Sequence, residues 1–461
     1  MIKKRTMRIT LLALLILFQT TSGYTQVYQK LFDFDNTNGR LPYSTLISDG
    51  TYLYGITFSG GVNEHGTIFK IKKDGSGFMK LHDFEVANGR KPRNSLTLVG
   101  SQLFGVAQYG GATDHGVLFK INTDGSNFTK LIDFGSGSSN GYLPQSALYY
   151  DGTYLYGTTF GGGFGGGGIL YKIKPDGTDY SETFNFYNTN HQSISPEWDL
   201  TFDGTYFYGA TYNGNSLENS TIYKVKPDGT GYQKLHDFPD NMANMNVQPY
   251  DLLLYNNYLY GVTFYSETTQ DGYLYRIKTD GTDFSILHNF DAATGNRPSC
   301  RLVAAGGYLY GTTYTGGTCC GVIFRIKPDG TEYSSVFNFN NNDGYDARCG
   351  LFFDNYTLYG VAASGGNNGN GVVFKFNDEN VTAVETLENN SNFSLSPNPA
   401  HSILNIDLKE NKIFYLVDLA GNILSSHELC NGKNTIDISP LVPGMYFLTT
   451  DKGESVKFIK E

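Results

Sequence analysis

The stretch LYGTTYTGGTCCGVIFRIKPDG at residues 309–330 decides the fold. Apolar and polar residues alternate on both sides of Gly316-Gly317, which is the period of a half-buried β-strand. The tripeptide Pro328-Asp329-Gly330 combines a preset φ of about −65°, a local side-chain hydrogen bond and a left-handed residue, so it is typical of a hairpin turn. The stretch therefore predicts antiparallel strands joined by tight turns.

The same frame recurs along the chain. Leu-Tyr-Gly, or a close variant, occurs seven times at intervals of 50, 52, 52, 52, 50 and 49 residues, ending at Gly55, Gly105, Gly157, Gly209, Gly261, Gly311 and Gly360. Each copy has room for four strands, and four antiparallel strands in every ~40 to 50 residues indicate a β-propeller. We therefore predict an all-β fold, with a seven-bladed β-propeller over residues 27–377.

A phrase ending in Phe marks the fourth strand of each unit. It also occurs seven times, but the first copy, at residues 30–34, precedes the first Leu-Tyr-Gly, and no copy follows Phe374. We therefore predict that this N-terminal strand pairs with residues 372–376 and closes the ring without an open edge.

These phrases resemble the Gloeo/Verruco-type (GloVer) tandem repeat. Residues 309–313, Gly316-Gly317 and residues 324–326 carry the resemblance in the sixth unit, and it extends over residues 27–377. Units four and five depart from the pattern, because residues 213–215 and 266–268 replace the Gly-Gly loop. The resemblance implies secretion more firmly than it implies any activity.

Composition excludes several classes of protein. The 461 residues include 56 Gly, 35 Tyr and 32 Phe, and only 17% are charged, which argues against a helical bundle. The aromatic content supplies enough apolar area to argue against disorder. A net charge of −10 argues against nucleic acid as a partner.

The beginning of the chain has the pattern of an export signal. Four basic residues precede an apolar run at residues 9–18, which is too short to cross a bilayer, and small and polar residues follow it. We interpret residues 1–25 as a signal peptide. No other stretch approaches the length of a transmembrane segment, so we expect an exported protein.

The repeat ends near residue 378, and residues 378–392 have the polar composition of a linker. Residues 393–461 resemble the type A C-terminal sorting domain of type IX secretion through five motifs in the order of that family, at residues 396–400, 404–406, 417–421, 436–438 and 443–447. The resemblance implies the type IX secretion machinery as a partner, passage across an outer membrane and subsequent removal of the domain. The alternation of the residues themselves predicts a small β-sandwich-like domain.

The seven units differ most where their first strands begin, eleven and ten residues before the motif glycine. Units one to three have small residues there, whereas units four to six have large, aromatic or charged ones, and Glu197 adjoins them. We expect this cluster to lie on one side of the mouth of the central channel: Glu197, Trp198, Asp199, Tyr250, Asp251 and Arg301. An apolar platform with a few convergent polar groups is typical of a sugar or polar-ligand site.

Two functions remain open for this cluster. The first is a non-catalytic exported propeller, acting as a monomer, that binds an extracellular glycan or a surface protein. The second is a polysaccharide-acting hydrolase or lyase that uses Glu197, Asp199 or Asp251 with Arg301. A third interpretation is structural, with Trp198 and Tyr250 packed between blades and the charges paired in water.

Four of the five cysteines fall in the last two units: Cys300, Cys319, Cys320 and Cys349. In an exported protein these are expected to form disulfides among themselves, with three pairings open. Cys430 is then left unpaired. His65 and His115 occupy equivalent loops and are interpreted as solvated, so we expect no metal site and no cofactor.

Overall fold

The computed structural model describes residues 27–135, 140–188, 191–192, 195–212, 220–238, 247–266, 270–378, 393–396, 400–417, 423–442, 444–450 and 455–460. The predicted signal peptide and almost all of the predicted linker lie outside these ranges. The described residues are all-β: they include no α-helix, and a 3₁₀ turn covers Phe164–Gly166.

The repeats fold into antiparallel sheets of four or five strands, seven of them within the described part of residues 27–378. The chain begins with β1 (Val27–Asp33). Sheet 1 contains β2 (Ile47–Ser48), β3 (Tyr52–Thr57), β4 (Thr67–Lys72) and β5 (Met79–Asp83). Sheet 2 contains β6 (Arg90–Pro92), β7 (Thr97–Val99), β8 (Gln102–Tyr109), β9 (Val117–Asn122) and β10 (Thr129–Asp133). Sheet 3 contains β11 (Tyr142–Pro144), β12 (Tyr149–Tyr150), β13 (Leu155–Gly161), β14 (Ile169–Ile173) and β15 (Ser181–Asn185).

A two-stranded ribbon then follows, formed by β16 (Tyr187–Asn188) and β17 (His191–Gln192). Sheet 4 contains β18 (Thr201–Phe202), β19 (Phe207–Thr211), β20 (Thr221–Val225) and β21 (Gln233–Asp237). Sheet 5 contains β22 (Leu253–Tyr255), β23 (Tyr258–Thr263), β24 (Tyr273–Lys278) and β25 (Ser285–Asn289). Sheet 6 contains β26 (Asn296–Pro298), β27 (Val303–Ala305), β28 (Tyr308–Thr315), β29 (Val322–Ile326) and β30 (Ser334–Asn338). Sheet 7 contains β31 (Phe352–Asp354), β32 (Thr357–Ala362), β33 (Val372–Asn377) and β1.

The N-terminal strand completes the last sheet. β1 pairs antiparallel with β33, so that Tyr28 lies opposite Phe376 and Asp33 lies opposite Val372. The predicted pairing of these two strands is therefore confirmed. Strand β33 has a hydrogen-bonded neighbour on each side, although one of them comes from the opposite end of the repeat region.

Close packing explains the glycine of the Leu-Tyr-Gly motif. At Gly311 a Cβ atom would lie 2.6 Å from Cζ of Phe324 and 2.9 Å from Sγ of Cys300, so no larger residue fits. The leucine predicted to be core is buried in every sheet, directly before β2, β7, β12, β18, β22, β27 and β31: Leu46, Leu96, Leu148, Leu200, Leu252, Leu302 and Leu351.

Hairpin chemistry accounts for the Asp-Gly turns. In sheet 6, Oδ1 of Asp329 accepts hydrogen bonds from the backbone N–H and the hydroxyl of Thr331, at 2.9 and 2.6 Å, and Gly330 has a φ of 90°. The side-chain hydrogen bond from Thr331 lowers the pKa of Asp329. The predicted turn role of this motif is confirmed.

The Leu-Tyr pair of the motif connects neighbouring sheets. The Tyr (or Phe) of one sheet lies in the same buried cluster as the Leu (or Phe) of the next sheet, and Tyr359 of sheet 7 shares a cluster with Leu53 of sheet 1. The other pairs are Tyr54 with Leu103, Phe104 with Leu155, Tyr156 with Phe207, Tyr208 with Leu259, Tyr260 with Leu309 and Tyr310 with Leu358. Burying these side chains supplies the main apolar contribution to stability.

A second set of contacts joins the fourth strands to the following sheets. A ring on the fourth strand of one sheet stacks on a ring of the next sheet, with centroids 3.6 to 4.7 Å apart, in Phe32–Phe78, His82–Phe128, Phe184–Tyr232, His236–Phe284, His288–Tyr333 and Phe337–Tyr28. We call these six pairs the outer stacks.

The last described residue of the repeat region is held firmly. Asp378 is fully buried, and both of its carboxylate oxygens lie 2.7 Å from Nη1 of Arg325. The hydroxyl of Tyr310 donates to the same carboxylate at 3.1 Å. These contacts fix the chain directly after β33 to sheet 6.

The C-terminal region forms two further sheets. The first contains β34 (Phe393–Ser396), β35 (Ile403–Leu408) and β38 (Gly432–Asp437), and the second contains β36 (Lys412–Val417), β37 (Ile423–Leu429), β39 (Gly444–Thr450) and β40 (Ser455–Lys460). Leu404 and Ile406 of the first sheet share one buried cluster with Phe414, Leu448 and Phe458 of the second. Two sheets around one core are what a small sandwich requires.

Candidate ligand-binding site

The position eleven residues before the motif glycine has a structural role in three sheets. Its side chain accepts a hydrogen bond from the backbone N–H twelve residues later, in Ser44 from Ile56 at 3.0 Å, Ser146 from Thr158 at 2.9 Å and Cys300 from Thr312 at 3.1 Å. This bond fixes the entry of the first strand to the second strand. Sheets 4 and 5 have Trp198 and Tyr250 at this position, so they place aromatic rings where sheets 1, 3 and 6 have a small acceptor.

Trp198 is enclosed. Its ring stacks on Tyr250 at a centroid distance of 4.1 Å, and the guanidinium of Arg93 lies over the ring at 5.6 Å. Trp198 is 6% exposed and Tyr250 is 8% exposed. The indole is therefore not the open platform that the sequence suggests, because a stacked ring and a cation occupy its faces.

Asp199 and Asp251 connect consecutive sheets. Oδ1 of Asp199 accepts the backbone N–H of Ala147 at 2.6 Å, and Oδ1 of Asp251 accepts the backbone N–H of Asp199 at 2.6 Å. Burial raises the pKa of both carboxyls, and the neighbouring Asp199 charge helps to raise that of Asp251 to about 7, while Arg301 opposes both shifts. Both carboxyls are therefore more readily protonated than an exposed aspartate.

Arginines pair with the other carboxylates of this region. Nη1 of Arg93 lies 3.2 Å from Oε1 of Glu197 and donates to Oε1 of Gln145 at 2.9 Å. Burial raises the pKa of Glu197, and Arg93 opposes that shift. Arg348 forms an ion pair with Asp346.

These groups surround a cavity of about 200 Å³. Six of the seven sheets, with the loops entering them, contribute to its lining: Tyr43, Thr45, Phe58, Arg93, Asn94, Ser95, Gln108, Trp198, Asp199, Tyr250, Asp251, Ser299, Arg348, Cys349 and Gly350. The lining combines aromatic rings, amides, hydroxyls and charges of both signs, which is the mixture found in sites for small polar ligands.

Two polar side chains of the lining are buried without a partner. Within the described part of the chain, neither Nε1 of Trp198 nor Oγ of Ser299 has a hydrogen-bond partner, and Ser299 is 1% exposed. Such groups are costly unless a bound molecule satisfies them.

The structure gathers most of the predicted residues at this cavity. Trp198, Asp199, Tyr250 and Asp251 line it, whereas Glu197 and Arg301 do not. Sequence reasoning missed Tyr43, Arg93, Ser299 and Arg348. Each of these four residues directly precedes the aligned position, as Glu197 does, so extending the comparison by one residue would have found them.

The cysteine prediction needs correction. Cys319 and Cys320 form a disulfide with each other, whereas Cys300 and Cys349 are free and buried. The prediction that all four are bridged is therefore wrong for Cys300 and Cys349. Cys300 instead accepts the N–H of Thr312, the role that serine has in sheets 1 and 3, and burial raises its pKa to about 11. Cys430 is free and exposed.

The described residues contain no group of three or more His, Cys, Asp or Glu side chains placed to hold a metal ion. His65 and His115 instead accept backbone hydrogen bonds through their carbonyl oxygens, from Lys91 and Leu143, both at 2.8 Å. These bonds join sheet 1 to sheet 2 and sheet 2 to sheet 3.

Repeated four-stranded sheets around one cavity define a class of all-β repeat proteins, and family comparisons identify the family. The Gloeobacter/Verrucomicrobia repeat matches residues 16–163, 90–257, 150–320 and 247–415, so the chain belongs to this family. The secretion system C-terminal sorting domain matches residues 394–461. This domain indicates a secreted or cell-surface protein that uses the type IX secretion machinery.

Solved structures share the fold at low identity. An oligogalacturonate lyase in complex with manganese is 11% identical, with a TM-score of 0.52, and the match covers 77% of this chain and 95% of the lyase. A GH74 enzyme from Niastella koreensis is 14% identical, with a TM-score of 0.52, and the match covers 93% of this chain and 73% of the enzyme. No curated protein matches the chain. No helix among the described residues is long and apolar enough to span a membrane.

Proposed function

We propose that residues 27–377 form a closed seven-bladed β-propeller, followed by a linker at 378–392 and a sorting domain at 393–461. Three features support closure. β1 pairs with β33, Tyr359 and Leu53 share a buried cluster, and Tyr28 of β1 stacks on Phe337 of sheet 6. In addition, the N–H of Leu41, before sheet 1, donates to the carbonyl of Asn370 in sheet 7 at 3.1 Å.

The exported propeller binds a small polar ligand, a glycan unit, in its central cavity. The observation that carries this proposal is that two residues lining the cavity, Trp198 and Ser299, each have a buried polar atom without a partner among the described residues, Nε1 and Oγ respectively. A glycan hydroxyl can both accept from the indole N–H and exchange hydrogen bonds with the serine. A surface protein is the competing partner, but a cavity of about 200 Å³ suits a small group better than a protein surface.

A polysaccharide-acting enzyme is the second candidate. One observation favours it: Asp199 and Asp251 are adjacent buried carboxyls, and the pKa of Asp251 is raised to about 7 by burial and by Asp199. A carboxyl protonated near neutral pH is what a general acid requires. However, each of these carboxylates already accepts a backbone N–H of a neighbouring sheet, which gives both a structural role.

Two assays on the exported protein separate these functions. A glycan array followed by calorimetry tests binding, and incubation with the bound polysaccharide tests for new reducing ends or unsaturated products. We expect saturable binding without product. Product formation that is lost in Asp251→Asn would establish the enzyme, and the absence of any glycan binding would refute the binding function.

A further inference from the structure

The arginines at the cavity are already neutralised. Arg93 pairs with Glu197 at 3.2 Å and also donates to Gln145. Arg348 pairs with Asp346, and its guanidinium lies 4.1 Å from the ring centroid of Tyr314. Each guanidinium therefore already has a carboxylate partner, so neither is an unpaired cation that would attract an anionic ligand.

The other charged groups of the cavity lining are two carboxyls. Asp199 and Asp251 are the other charged groups of the lining, and the charge of Arg301 acts on both. Both carboxyls accept a backbone N–H of a neighbouring sheet or strand entry, and neither adds a positive charge to the cavity. Among the described lining residues, each cation therefore already has a carboxylate partner, and none is left unpaired to recognise an anion.

The groups that lack partners are neutral. The indole N–H of Trp198 is a donor, and the hydroxyl of Ser299 is both donor and acceptor. Tyr43 and Phe58 add aromatic surface on another side of the cavity, with ring centroids 5.8 Å apart. An uncharged molecule that has hydroxyl groups and an apolar face satisfies all of these features, and a hexose ring has both.

We infer that the cavity selects an uncharged hexose unit over the corresponding uronic acid, and that the N–H of Trp198 and the hydroxyl of Ser299 recognise it. This inference rests on the proposed glycan-binding function. A uronate would bring a carboxylate close to Asp199 and Asp251, in a site where Arg93 and Arg348 already have carboxylate partners. Like charges disfavour that arrangement, and no free cation of the described lining compensates for it.

Matched sugar pairs test the selectivity. Calorimetry on the full exported chain at pH 7 compares a galactose tetramer with a galacturonate tetramer, and a glucose-containing with a glucuronate-containing oligosaccharide of equal linkage. We expect the neutral member to bind at least about tenfold more tightly, equivalent to about 1.4 kcal/mol. Equal or tighter binding of the acid would overturn the inference and leave the proposed glycan-binding function standing. The absence of binding by either member would refute both.

Substitutions test the two recognition groups. Trp198→Phe keeps a ring against Tyr250 but removes the N–H, and Ser299→Ala removes the hydroxyl. Each should weaken binding of the neutral sugar by about 3- to 12-fold, the range expected for one hydrogen bond. Ser220→Ala is the matched control, because Ser220 is also buried without a side-chain partner but does not line the cavity. Unchanged affinity in both Trp198→Phe and Ser299→Ala, with thermal melting like that of the parent, would overturn the assignment.

Discussion

The seven sheets contact their neighbours in one way at the outer stacks and in another way at the residues eleven and ten before the motif glycine, which we call the inner positions. The outer stacks repeat one geometry, a ring face to face with a ring of the next sheet. At the inner positions the contacts change from sheet to sheet: a carboxylate accepts a backbone N–H between sheets 3 and 4 and between sheets 4 and 5, and an indole stacks on a tyrosine between sheets 4 and 5.

The recurring contacts of the outer stacks hold the repeated sheets together, whereas the varied contacts at the inner positions are particular to individual sheets of this chain. The six outer stacks bury the faces of their rings, so phenylalanine, tyrosine and histidine side chains all serve there, and sheet 2 has Ile132 at the fourth-strand position instead. At the inner position a small acceptor is sufficient, as Ser44 and Ser146 demonstrate. Trp198 and Tyr250 do not make that bond and instead line the cavity, so the inner positions are the better place to seek a function.

The largest test removes a strand that contributes an outer stack. Deleting residues 27–34 removes β1, its pairing with β33 and the stack of Tyr28 on Phe337. We expect loss of cooperative thermal unfolding, or aggregation, because the edge of β33 and its apolar neighbours become exposed. Calorimetry and light scattering measure the outcome. A deletion variant that melts like the parent would refute ring closure.

The second test concerns the inner aromatic pair. Trp198→Ala leaves a void beside Tyr250 and should reduce the free energy of unfolding by about 3 to 5 kcal/mol, measured by chemical denaturation. Trp198→Phe is the control and should retain most of the stability. A Trp198→Ala variant with parental stability and lost glycan binding would mean that the ring serves only the ligand, contrary to its burial.

The third test uses the inner carboxyls. Because burial raises the pKa of Asp251 to about 7, folding favours its protonated form, and the stability it contributes at low pH is lost as pH rises from about 4 to 7. Asp251→Asn keeps an oxygen acceptor for the N–H of Asp199 and should remove this loss, worth about 1.4 kcal/mol per unit of pKa shift. Denaturation curves at pH 4, 5.5 and 7 measure the slope. If the free energy of unfolding changes with pH equally in Asp251→Asn and in the parent, the raised pKa of Asp251 would be contradicted.

For the histidines of the outer stacks we expect the opposite dependence on pH, with stability lost as pH falls. Burial lowers the pKa of His82 and His288, so the stability of the neutral rings is present above about pH 6.5 and is lost as pH falls below it. His82→Phe and His288→Phe copy the residue at the same position in sheets 3, 6 and 7. Each should raise the melting temperature at pH 5 by on the order of 2 °C relative to the parent, with little change at pH 8. His65→Gln, in a loop, is the control. An equal change in melting temperature at pH 5 and pH 8 would contradict the lowered pKa of His82 and His288.

The smallest effect concerns Cys300. Cys300→Ser should change the free energy of unfolding by less than about 1 kcal/mol, because serine makes the same bond to the second strand in sheets 1 and 3. Cys300→Ala, which leaves the N–H of Thr312 unsatisfied, should cost more. Non-reducing mass mapping of the parent should recover Cys300 and Cys349 as thiols and Cys319–Cys320 as the disulfide.

Much of the fold was predictable because its determinants are local. The Asp-Gly turns, the alternation and the fixed spacing predicted the strands of each sheet, and the early copy of the fourth-strand phrase predicted the pairing of β1. The short strands β6, β11 and β26 were not predicted. Each of them ends in proline, a residue that indicates a loop in sequence but is tolerated here at the end of a strand.

The site was only partly predictable, because spacing reveals which residues share a position but not what covers their faces. The alignment brought Trp198 and Tyr250 together, yet the cation above the indole comes from Arg93, over a hundred residues earlier in the chain. The same limit applies to the cysteines: Cys300 and Cys349 share a register, but each sulfur lies against its own local partner, Thr312 or the carbonyl of Pro42.

The burial of Asp378 against Arg325 and Tyr310 has a consequence for proteolysis. A protease that shortens the exported chain from its C-terminal side must pull an extended peptide into its own cleft, and Asp378 is fully buried between Arg325 and Tyr310. Cleavage on the N-terminal side of Asp378 would require part of sheet 7 to open first, because β33 ends at Asn377. We therefore expect digestion of the exported protein to stop after Asp378, leaving all seven sheets intact.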